Sequence, residues 1–180
     1  MLVGFFKLLS NFGQNMKKVI AGMVLVLFFG CQENDSVQTD FTGNEKVYAL
    51  QAGSVYPISG TATFKEKKDG TAVIVISLTG TDGNTQHPVH LHLGNISSPD
   101  AAVAALLTPV EGSTGKSETA ITMLADETPV TYSQLIAIGA CIKVHLGNSG
   151  PERDIILAGG NIGSAANART SDGIAVCKSE

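Results

Sequence analysis

The sequence predicts an all-β fold, a sandwich or barrel of short strands with brief helical turns. Three observations predict it. β-branched, apolar segments of roughly 4–8 residues recur along the chain, among them "TAVIVISL" at residues 71–78. Clusters of Gly with Asn or Asp separate them: "TGTDGN", "LGNISSPD", "GNSGPERD" and "GGNIGS". No internal repeat, phosphate-cradling glycine motif or coiled-coil pattern competes with this reading.

The elements follow in chain order. "MKKVIAGMVLVLFFGC" opens at Met16 with two lysines, runs through an apolar core and ends in a small residue before Cys31, the pattern of a secretory signal. Its apolar run, Val19 to Gly30, is shorter than the roughly 20 residues a membrane-spanning helix needs. "FFGC" resembles the bacterial lipobox, with Phe28 where such boxes usually carry Leu. The resemblance implies cleavage before Cys31, lipid attached to it, and residence in the bacterial cell envelope, anchored to the bilayer outside the cytoplasm. Residues 1–30 are therefore expected to be a signal region whose true start is Met16. Residues 31–45 are expected to be the lipidated Cys31 and a polar tether, 46–168 a single β domain, and 169–180 a C-terminal tail.

Within the domain, "VYALQA" is a first strand. "SGTATFKEKKDGTAVIVISLTG" is a hairpin turning at Asp69-Gly70, with Lys65 to Lys68 as a solvated charge run. "PVHLHL", "SETAITM", "CIKVHL" and "RDIILAG" are further strands. "SPDAAVAALL" (98–107), with its Ser/Pro/Asp start, reads as a helix, and "TYSQL" (131–135) as a single helical turn.

Composition narrows the function. A net charge of −4, with 12 basic and 16 acidic residues, argues against a nucleic-acid partner. Of the 3 cysteines, Cys141 and Cys177 are the pair left to form a disulfide if Cys31 carries lipid, although sequence alone gives no separation between them.

The 4 histidines are unevenly placed: His87, His90 and His92 fall within "HPVHLHLG", and His145 stands in "CIKVHLG". Strand side chains alternate sides. Val89, Leu91, Leu93, Ile142, Val144 and Leu146 should face the core, so His90, His92 and His145 should project outward with Cys141 and Lys143. If the two strands are neighbours, three imidazoles converge on one point, a donor set suited to copper, zinc or nickel. The plain alternative is two solvated edge-strand faces. His87 shares the parity of Val89 and should tuck inward as a hydrogen-bonding support, unless a bulge at Pro88 shifts it. Cys141 lies about 13 Å along the strand from His145, too far to share its ion.

"HPVHLH" resembles the H-x-x-H-x-H pattern of the copper-zinc superoxide dismutase superfamily. "KVHLG" resembles the later strand of that family, and "GNSGPERDIILAGGNIGSA" its ending. Chordin-type (CHRD) domains of the same superfamily are similar too, through the H-x-H pair and "VTYSQLIAIGACIKVHLG". The resemblance spans roughly Tyr56 to Ala166. It implies a Greek-key β-sandwich or barrel, a copper ion on His90, His92 and His145, and a structural His87. The departures are as specific. One remaining histidine cannot build the family's zinc subsite. Gly159 stands where the disulfide cysteine would be, and Ile156 where the superoxide-guiding arginine would be, with Arg153 near but displaced.

Two functions follow. The domain is either a slow copper enzyme acting on superoxide, or a non-enzymatic CHRD-like module that binds copper for exchange with a partner or contacts proteins or glycans. Hydrolase motifs such as G-x-S-x-G are absent from the sequence, and a zinc hydrolase would have only Glu152 or Asp154 as general base.

Overall fold

Val, Ile and Thr crowd residues 71–79, and the regular core of the sheet grows from that segment. The computed structural model describes residues 39–99, 101–167 and 174; the signal region, Cys31 and Cys177 lie outside them. The strands are β1 (Phe41–Ala52), β2 (Ser59–Lys67), β3 (Ala72–Thr79), β4 (Gln86–Leu93), β5 (Val103–Glu111), β6 (Lys116–Ile121), β7 (Gly139–His145) and β8 (Ile156–Gly163). They close into an antiparallel barrel in the order β1-β2-β3-β6-β5-β4-β7-β8. β4, β5 and β6 form a meander, and the strands before and after it, β3 and β7, lie against its far edges, which is Greek-key connectivity.

The β2–β3 hairpin forms where the sequence predicts it. Gly70 adopts φ 85° in its turn, and the Asp69 carboxylate accepts from the Thr71 N–H at 2.9 Å. Inside the barrel, Phe64, Ile74, Ile76, Leu91, Ile142, Val144 and Leu157 are buried together. Tyr48 meets Phe64 edge-to-face, with ring centroids 5.3 Å apart. Closure depends on β1 reaching β8, where Gln51 pairs with Gly159 and Ala52 with Ala158. Gly160 permits that approach, because a Cβ there would run into the Ala49 carbonyl.

Three expectations are corrected. β1 already begins at Phe41, inside the segment read as tether, and Thr42 and Asn44 hold the Glu66 carboxylate at 3.0 and 2.7 Å. The Ala-rich segment 98–107 is not a helix: from Val103 it is strand β5. Helix propensity favours Ala by less than about 0.7 kcal/mol per residue, and pairing with β4 outweighs it. Register shifts between His87/Val89 and Leu91/His92 mark bulges in this pairing, and the bulged Ala104 uses its carbonyl to accept from the Ala125 N–H at 2.7 Å. Finally, Arg153 and Asp154 are not strand but close a helical turn, α2 (Pro151–Asp154), started by Pro151 after Gly150. The turn read at "TYSQL" is α1 (Tyr132–Leu135), capped by Thr131 and Gln134 in a reciprocal capping box.

Candidate metal centre

β4 and β7 are neighbours. Their register sets Val89 opposite Val144, His90 opposite Lys143, Leu91 opposite Ile142, and His92 opposite Cys141. Val89, Leu91, Ile142 and Val144 fill the core, so alternation turns His90, His92, Lys143 and His145 to the outer side of the sheet. His145 is the diagonal neighbour of His90, and their ring centroids are 4.6 Å apart; those of His90 and His92 are 5.8 Å apart. One ligand atom from each of His90, His92 and His145 lies within 4.8 Å of the others. Cys141 is not part of that group, and among the described residues no other three such side chains gather.

Outward does not mean solvated here. His92 is 2% exposed, His145 1% and Lys143 0%, while His90 is half-buried. Neither strand is an edge, so the reading of solvated edge faces is overturned. The covering comes from two connections. After β4 the chain folds back over β7 and β8: the Ile96 N–H donates to the Asn161 side-chain oxygen at 2.7 Å, and the Ser98 carbonyl accepts from Lys143 Nζ at 3.3 Å. After β7, α2 lies over His145, with the Leu146 N–H bonded to the Ile155 carbonyl at 2.9 Å.

These coverings also aim the rings. His145 Nδ1 donates to the Arg153 carbonyl at 2.6 Å, and His92 Nδ1 donates to the Ala101 carbonyl at 2.7 Å. A proton on Nδ1 places the lone pair on Nε2, the tautomer that ligates a metal. His145 Nε2 is buried with no hydrogen-bond partner among the described residues, which a polar atom tolerates poorly unless an ion takes its lone pair. A register shift between Val144 and His145 in the β7–β8 pairing marks the local distortion at this ring.

Protonation agrees with ligation. Burial lowers the pKa of His90 to about 4, with His145, His92 and Arg153 adding to it in that order. Burial is also the main cause of the lowered values of His92 and His145, against the carbonyl bonds that raise them. All three are neutral imidazoles at neutral pH. Nitrogens bound to one ion at about 2.0–2.1 Å stand roughly 3–4 Å apart, so small ring rotations close a group already within 4.8 Å.

His87 is outside the cluster. It is buried, and its Nδ1 donates to the Leu146 carbonyl at 3.0 Å, so it braces the residue next to His145. Lys143 is the feature that sequence reading passed over. Its shared parity with His145 was visible, but nothing local foretold that both would be covered. No protein-family model matches the chain, and no curated protein matches it.

Proposed function

We propose that the chain is a lipid-anchored protein of the bacterial cell envelope whose barrel binds one copper ion through His90, His92 and His145, as the resemblance to copper-zinc superoxide dismutases implies. The gathering of three neutral imidazoles within 4.8 Å carries this reading, with His145 Nε2 buried and otherwise unsatisfied. An antiparallel Greek-key barrel supports it. Imidazole-only donors on a rigid sheet suit copper or open-site zinc, and the sequence resemblance favours copper. The anchor rests on the signal pattern and Cys31.

As an enzyme, bound copper would supply one-electron chemistry, by which one superoxide is oxidised to dioxygen and another, with two protons, is reduced to hydrogen peroxide. The chain's own part is to fix the rings through the Ala101 and Arg153 carbonyls, keep them unprotonated, and exclude water from all but the His90 side. An acidic protein attracts an anion poorly, so turnover is slow. The near-complete cover over His92 and His145 favours a second reading, a non-enzymatic module that stores or hands on copper.

The test is superoxide consumption by copper-loaded protein beside the His90→Ala/His92→Ala/His145→Ala variant. Turnover that disappears in the variant supports the enzyme. Copper held tightly without turnover supports the carrier. Equal copper loading of the two proteins overturns both.

A further inference from the structure

The three imidazoles gather at one point but are not held alike. His92 and His145 each donate from Nδ1 to a carbonyl, that of Ala101 at 2.7 Å and that of Arg153 at 2.6 Å. His90 makes no hydrogen bond among the described residues, so no polar partner sets its ring orientation or its tautomer. Such partners aim a ligating ring and raise its basicity, and losing one typically costs about 10–100-fold in metal affinity. His90 binds without that support.

It is also the ring that solvent reaches. His92 and His145 are buried beneath the connections after β4 and β7, whereas His90 is half-buried. The sheet register shows which flank is open. On the β7 side His90 stands opposite Lys143, which is fully buried. On the β5 side it stands opposite Leu106, 72% exposed, and His92 stands opposite Val103, 42% exposed. Residues so paired share a face, with Cβ atoms about 4.5–5.5 Å apart. A molecule crossing β5 therefore meets His90 before either covered ring. The flank it crosses is apolar, which favours an uncharged donor over a charged one.

Given copper on three imidazoles, the reading on which this rests, we propose that His90 is the exchangeable ligand of the centre. Its ring turns away and a neutral imidazole from outside takes its place, entering across β5, while His92 and His145 keep their hold. The external ring is the histidine side chain of a partner that gives or takes copper. The exchange is a substitution: the bond from the His90 nitrogen breaks as the bond from the incoming nitrogen forms. One neutral donor replaces another, so no proton or electron moves. Leu106 and Val103 line the way in, and the carbonyls of Ala101 and Arg153 keep the two remaining rings aimed.

The experiment compares the copper-loaded full chain with His90→Ala, His92→Ala and His145→Ala, each with and without free imidazole, by copper stoichiometry and Cu(II) spin resonance. His90→Ala should still load copper, with fewer nitrogen couplings, and added imidazole should restore the wild-type splitting. His92→Ala and His145→Ala should lose the signal and stay without it, because their cover excludes the added ring. Restoration confined to His90→Ala supports the proposal, and any other pattern overturns it. A second measurement needs no metal. Nitrogen-edited NMR of the metal-free chain should find the Nδ1–H of His92 and of His145 slow to exchange with water, and the ring N–H of His90 in fast exchange. A protected His90 ring overturns the proposal even where copper binds through three nitrogens. A wild-type chain that takes up no copper overturns the three-imidazole reading itself, and the proposal with it.

Discussion

At His145 the two ring nitrogens have different tasks: Nδ1 donates to the Arg153 carbonyl, and Nε2 is left to meet an ion. Because the main chain of Arg153 makes that contact, Arg153→Ala should leave the Cu(II) nitrogen signature unchanged, whereas His145→Ala should abolish it. Spin resonance of the two copper-loaded variants separates these roles. His87 differs again. His87→Ala removes the donor to a carbonyl and should cost about 1–3 kcal/mol in urea unfolding while copper stoichiometry stays at the wild-type value. Acid acts on the ligands themselves. His90 titrates at about 4 when folded and near 6.5 when unfolded, so between those values the unfolded chain binds more protons. Stability from this group is complete above about pH 6.5 and is lost as pH falls toward 4. Urea midpoints of the metal-free protein should fall across that window, and less steeply in His90→Phe. A flat profile would contradict the burial of these rings.

The elements decide how near the rings come. Thr131 caps α1, the turn that leads into β7, and Thr131→Ala should cost about 1 kcal/mol of stability by the same unfolding measurement. Gly160→Val places atoms against the Ala49 carbonyl where β1 meets β8; it should destabilise the barrel by about 1–3 kcal/mol or more and lower its melting temperature. Much of this level was legible in the sequence. The Asp69-Gly70 turn fixes the β2–β3 hairpin, and alternation in "PVHLHL" and "CIKVHL" sorts core from outer residues with no knowledge of neighbours. What alternation does not contain is whether an outer face stays open. The coverings over His92 and His145 come from the connections after β4 and β7, and those depend on long-range bonds such as Ile96 to Asn161. Segment 98–107 misleads for the same reason, since its alanines favour a helix locally, whereas from Val103 onward the chain is strand, in a bulged pairing with β4.

For the whole molecule, the β6–β7 crossover matters most, because it lays β7 against β4, the first strand of the meander, and so brings residues 90 and 145 together on neighbouring strands. Binding to a preformed site stabilises the folded state by mass action, about 2.7 kcal/mol when free ligand is a hundredfold above its dissociation constant. Copper should therefore raise the melting temperature by on the order of 5–10 °C, and calorimetry should find no such rise in the triple alanine variant. The most direct test of the three-imidazole site is copper stoichiometry measured together with the Cu(II) spin-resonance spectrum. The account predicts a single ion per chain, with nitrogen hyperfine splitting that vanishes when His90, His92 and His145 are all replaced by Ala. The same stoichiometry and splitting in that variant would contradict it.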